Sequence, residues 1–125
     1  MQTTEALMTT QQIANRLSVL FSENRWEEAQ DELFDENAMS IEPYNTAGLK
    51  TVRGIEAIKQ KTRDFNGEID YVHSGYVSEP IIAGRYISFG MGMDAINKEG
   101  KRIKLDEIAV YEVREGKIIK EQFFY

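Results

Sequence analysis

Glu42, Glu107, Glu121 and His73 are the residues of this chain whose types and settings suit proton chemistry. Glu42 follows the apolar start of a strand and is followed at once by Pro43, which cannot donate a ladder hydrogen bond and so ends the strand on a carboxylate. Further on, Ile103, Leu105, Ala109, Tyr111 and Val113 occupy odd positions, while Lys104, Asp106 and Glu112 are among the even ones. The odd face therefore turns inward and takes Glu107 with it. A three-residue loop of Arg114, Glu115 and a left-handed Gly116 would pair Val113 with Lys117. Ile119, Glu121, Phe123 and Tyr125 then share the same face, with Glu121 opposite Ala109 and diagonal to Glu107.

Carboxyl groups close together on an apolar face must open to water at a rim, take a cation from a helix, or hold a proton. In the last case they are suited to act as acid or base near neutral pH. His73 lies in IDYVHSGYV, whose two faces are similarly polar, so its facing is open; it reads either as an assisting group or as an ordinary packed or surface histidine. Around these groups, Trp26, Tyr44, Phe89, Met91, Met93, Tyr111, Phe123 and Tyr125 are the expected wall of a ligand site. Most of them are core residues first. Gly90 and Gly92 on the outer face of their strand predict either a close neighbour, such as a second copy of the chain packed on the sheet, or a sharp bend.

These residues must be held by a scaffold that the hydrophobic pattern outlines. Ile13, Leu17, Leu20 and Phe21 recur at helical spacing behind a capping box of Thr9 and Gln12. A second short helix is expected after Asn24, capped by it and by Glu27, with Trp26, Ala29 and Leu33 inward. The stretch AMSIEP is the first strand. A third helix carries Ile55, Ile58, Thr62 and Phe65 on one stripe and stops at Asn66-Gly67. From residue 68 the period becomes two, predicting four strands in an antiparallel meander. The order implies one α+β domain over residues 1–125: a curved antiparallel sheet wrapped by three helices into a cone with an internal pocket.

Composition narrows the chemistry. With 125 residues, 42% of them hydrophobic, the chain suits a single core. The net charge of −6 argues against nucleic acid as a partner, and the basic stretch KEGKRIK reads as an exposed turn. There is no apolar run of membrane-spanning length and no leader, so a cytoplasmic, membrane-free protein is expected. The absence of cysteine excludes disulfides, thiolate nucleophiles and iron–sulfur clusters, and a single histidine offers little to a transition metal. No metal or cofactor is expected.

The stretches ENRWEEAQDELFDENAMSIEP, GIEAI and DEIAVYEVREGKIIKEQFFY, taken in order, resemble the SnoaL-like branch of the nuclear-transport-factor-2-like, or cystatin-like, superfamily. The resemblance implies a cone-shaped fold that is commonly dimeric. It also sets Glu42-Pro43 at the place of the Asp-Pro pair whose aspartate is the general base in ketosteroid isomerases. The tyrosine and protonated aspartate of the isomerase oxyanion hole would fall near Leu17 and Ala109, so that hole is absent. Two functions fit these residues. One is a proton-transfer isomerase or polyketide-cyclase-like enzyme acting on a small, mostly apolar carbonyl compound, with Glu42 as base and Glu107, Glu121 or His73 assisting. The alternative is a non-catalytic ligand-binding or dimeric accessory module.

Overall fold

The computed structural model describes residues 6–45 and 49–125. The elements run α1 (Thr10–Ser22), α2 (Trp26–Leu33), β1 (Phe34–Ile41), β2 (Val52–Arg53), α3 (Ile55–Glu68), β3 (Ile69–Val77), β4 (Ile81–Ala83), β5 (Tyr86–Asn97), β6 (Arg102–Arg114) and β7 (Lys117–Phe124). The strands form a mostly antiparallel, unclosed sheet in the order β2-β1-β7-β6-β5-β3, with β4 paired to β5 and β1 parallel to β7. Two short strands, β2 and β4, add to the expected set. The α+β class and the sheet covered by three helices agree with the sequence reading.

The helices lie against the sheet because each presents one apolar stripe. Ile13, Leu17, Leu20 and Phe21 of α1, Ala29 and Leu33 of α2 and Ile58 of α3 are buried against Ile87, Phe89, Ala109, Tyr111 and Ile118. The capping box of Thr9 and Gln12 is formed as expected. Two end signals act differently from the expectation. Asn24 does not cap α2; it takes a left-handed conformation (φ 58°) in the preceding turn, and Arg25 is the N-cap without a side-chain hydrogen bond. Asn66 and Gly67 do not stop α3, which runs on to Glu68 before Ile69 enters β3 directly. Glycine only permits a stop; packing of the last turn decides.

The register of the last hairpin also differs, and it matters for the site. Its loop has two residues, Glu115 and Gly116, both with positive φ (50° and 76°), so Arg114 pairs with Lys117 and Val113 with Ile118. Unbroken, that register would turn Lys120 inward and Glu121 outward. A register shift beyond Val113 restores the parity: Glu112 meets Lys120, Tyr111 meets Glu121 and Ala109 meets Phe123. Glu121 is therefore inward as expected, but opposite Tyr111 rather than Ala109.

Gly92 is explained within the chain. A Cβ there would lie 2.5 Å from both the Leu105 carbonyl oxygen and the Tyr76 ring, which packs over it on the outer face. At Gly90 the nearest atom is Ser78 Oγ, at 3.6 Å from where a Cβ would sit, and that oxygen accepts from the Gly90 N–H at 2.8 Å.

Candidate functional site

β1 ends at Ile41, whose register partner in β7 is Gln122. The next residue, Glu42, turns its side chain inward, beside the inward Phe123 of β7, and is 8% exposed although Pro43 and Tyr44 after it are exposed. Its backbone N–H donates to Thr51 Oγ1 at 3.0 Å. Its carboxylate is held from two sides: Lys61 Nζ of α3 donates to Oε2 at 2.8 Å, and the Tyr125 hydroxyl donates to Oε1 at 2.7 Å. Lys61 also donates to the Lys50 carbonyl at 3.0 Å, and its ammonium stands 5.5 Å from the centre of the Phe123 ring. The two charged side chains are almost dry, 3% exposed for Glu42 and 9% for Lys61.

Glu121 and Glu107 complete the cluster from β7 and β6. Glu121 is 5% exposed, between Ser40 and Tyr111 in register. Burial pushes its carboxyl up to about 7; the Ser40 hydroxyl and Lys61 oppose this, the Glu42 charge adds to it, and the Tyr111 hydroxyl opposes it. Ser40 Oγ favours the charged form by proximity but has no partner in hydrogen-bond geometry. Glu107, half-buried and paired in register with Met91, is also pushed up to about 7. Burial is the main cause, the charges of Glu42 and Glu121 add to it, and Lys61 is the only opposing influence. Tyr111 and Tyr125 are both raised, chiefly by burial and then by neighbouring carboxylates.

Three carboxyls thus meet one ammonium over Ala109, the small inward residue between Glu107 and Tyr111 on β6. Glu42 is the anchored member and Glu121 the deepest. Glu107 is the least enclosed and has no ion pair among the described residues. Such a pair of high carboxyls can hold and return a proton near neutral pH.

The expected wall residues separate into two groups. Trp26, Phe89 and Tyr111 belong to an aromatic core around Phe21, with ring centroids 4.3, 5.5 and 6.0 Å from it. Tyr44 and Tyr125 meet edge-on at 6.4 Å beside Glu42, with Phe123 under Lys61. Met91 is buried next to Glu107, and Met93, the next inward residue on β5, is half-buried. His73 lies apart from the carboxyls on the exposed β3, edge-on to Tyr71 at 4.8 Å and near Asp94.

Lys61 is the member that reading the sequence for acids missed. It lies three residues after Ile58 and four before Phe65, on the apolar stripe of α3, where a lysine signals a buried counter-charge. Two surface depressions, of about 550 Å³ beside Gln12 and Arg16 and about 180 Å³ beside Tyr76 and Asp106, include none of the three glutamates. Among the described residues no group of acidic or histidine side chains is arranged to hold a metal ion, and no helix is long and apolar enough to cross a membrane.

Comparison with known proteins places this geometry in a family. The model of the SnoaL-like domain matches residues 8–125. A solved structure from Mesorhizobium loti, provisionally described as a SnoaL-like polyketide cyclase or carbohydrate phosphatase, is 28% identical with a TM-score of 0.87, covering 94% of this chain and 100% of that one. A nuclear-transport-factor-2-like protein from Burkholderia thailandensis is 17% identical with a TM-score of 0.79, covering 94% and 91%. A protein of cystatin-like fold from Xanthomonas campestris is 14% identical with a TM-score of 0.75, covering 94% and 90%. Comparison with curated proteins finds no sequence match.

Proposed function

The chain belongs to the SnoaL-like domain family, and from that premise we propose that it binds a small, mostly apolar carbonyl compound beside Glu107 and moves a proton on it. The observation that carries this reading is the cluster of three carboxyls around the single ammonium of Lys61, with Glu107 left unpaired at its least enclosed point. Compared with the sequence expectation, the roles of Glu42 and Glu107 are exchanged. Both oxygens of Glu42 are occupied by donors, which suits it to anchor Lys61 and Tyr125. Glu107 takes a proton from carbon next to the carbonyl and returns it, while Tyr44, Phe123 and Tyr125 supply the apolar wall.

The test is exchange of α-hydrogens for deuterium in a panel of apolar cyclic ketones, followed by NMR. Wild type should catalyse exchange with a rate rising as pH passes about 7, because the carboxylate is the base. Glu107→Gln should reduce exchange at least about a hundredfold, the usual scale of a lost acid–base group. Exchange at background level in wild type, or unchanged in Glu107→Gln, removes the catalytic reading. The non-catalytic reading is favoured by the filled aromatic core around Phe21 and by Leu17 and Ala109, both buried, at the places of the isomerase oxyanion donors. It predicts ketone-induced NMR shifts at the cluster without exchange.

A second copy of the chain is the proposed partner on the outer sheet face. There Tyr76, Ile108 and Phe124 are 51%, 52% and 49% exposed, with Ile108 and Phe124 in register. An exposed apolar patch on a sheet marks an association surface. Light scattering should give a dimer for wild type and a monomer for Ile108→Lys; a monomeric wild type rules the dimer out.

A further inference from the structure

The charges of the carboxyl cluster do not balance: three carboxyls face one ammonium. Lys61 gives hydrogen bonds to Glu42 and to the Lys50 carbonyl, and the Tyr125 hydroxyl gives its own to Glu42. On the other side of the balance, Glu107 has no cationic partner among the described residues. An interior with a surplus of potential negative charge is matched by a ligand that brings positive charge.

From this imbalance we propose that the molecule bound at the cluster carries a protonated amine, whose ammonium pairs with Glu107 while its apolar body lies against Phe123, Tyr125 and Tyr44. The proposal rests on the reading that the cluster binds a small molecule; while the ammonium is bound Glu107 is its ion-pair partner and not a base, so the amine competes with a carbonyl compound for the same site. An ammonium has three donors, enough to reach both oxygens of the Glu107 carboxylate. The aromatic faces favour a cation for a second reason, since Phe123 already accepts the Lys61 ammonium at 5.5 Å. A metal ion is the poorer match: the described acidic groups are not arranged to ligate one.

The titratable groups that Glu107 interacts with are Glu42 from the end of β1, Lys61 from α3, Glu121 and Tyr125 from the β7 end, Tyr111 from its own strand and Tyr76 from β3. None supplies a cation except Lys61, which is already engaged by Glu42. An arriving ammonium therefore binds the carboxylate form of Glu107 and expels its proton, so amine affinity rises with pH. A neutral carbonyl, which accepts a hydrogen bond from the acid form, shows the opposite slope.

Phenethylamine, phenethyl alcohol and cyclohexenone serve as probes, read by calorimetry and NMR on the full chain at pH 6 and pH 8. The amine stays protonated over that range. Its dissociation constant should fall about tenfold between the two values, following the fraction of Glu107 that is ionised. Calorimetry in two buffers should show close to one proton released at pH 6. Glu107→Gln should abolish both amine binding and its pH slope, with its NMR spectrum otherwise preserved. Cyclohexenone or phenethyl alcohol binding more tightly than the amine, with affinity falling as pH rises, overturns the amine and leaves the carbonyl reading standing. Amine binding that is indifferent to Glu107→Gln also overturns it. If none of the three probes binds, both readings fall.

Discussion

Replacing Glu121 by glutamine is expected to make the protein more stable at pH 8 by on the order of 2–3 kcal/mol and to change it little at pH 5. Glu121 is 5% exposed, and its carboxyl is raised to about 7 from an ordinary value of 4.5, first by burial. Between those two values the folded chain binds more protons than the unfolded one. The stability linked to this proton is fully present below about 4.5 and is lost as pH rises through about 7. Each pH unit of displacement is worth about 1.4 kcal/mol, which sets the scale for Glu121 and, in lesser degree, for the half-buried Glu107. Wild type should therefore weaken steadily from pH 5 to pH 8. The amide introduced by Glu121→Gln keeps the shape of the carboxyl, cannot ionise, and can donate to the unpartnered Ser40 hydroxyl. Urea unfolding at the two pH values checks both statements. A wild type that is equally stable or more stable at pH 8, or a glutamine variant that is weaker there, contradicts them.

Lys61→Met is expected to act in the other direction. It leaves the Glu42 carboxylate, 3% exposed, with the Tyr125 hydroxyl as its remaining donor. Stranding one half of a buried ion pair costs about 3–5 kcal/mol, a large share of a small domain's stability. The loss reaches further than the pair, because Lys61 also restrains the upward displacement of Glu107 and Glu121. Adding Glu42→Gln to Lys61→Met should recover most of the loss, since the buried charge is then gone with its partner. The double-mutant cycle reads this directly. A cost below about 1 kcal/mol for Lys61→Met, or no recovery in the double variant, would show that Glu42 and Lys61 are effectively solvated.

Much of the scaffold was written locally in the chain. The stripe of α1, the capping box at Thr9 and the alternation of Ile87, Phe89 and Met91 each depend on neighbours a few residues away, so spacing alone reveals them. What failed depended on context. Asn24 and Asn66-Gly67 have the right chemistry for helix ends, but the chain uses one for a left-handed turn and runs a helix through the other. The inward facing of Glu121 was reached through two compensating departures, a shorter loop and a register shift, neither of which alternation can signal. The site was legible as acids and not as a balance of charge. Glu42, Glu107 and Glu121 stand out on apolar faces, whereas Lys61, whose ammonium organises them, comes from a helix far from all three in sequence. Gly92 invited a partner from outside, but its space is taken by Tyr76 of the same chain.

The central claim is that two carboxyls of the cluster hold protons near neutral pH and that Glu107 is the accessible one. Carbon-13 NMR of the glutamate side-chain carboxyls, followed from pH 4 to pH 9, tests it most directly. Two resonances should titrate with midpoints near 7, one vanishing in Glu107→Gln and the other in Glu121→Gln, each substitution shifting the survivor's midpoint downward. Glutamate resonances that all titrate at or below about 5, the ordinary carboxylate range, would contradict it.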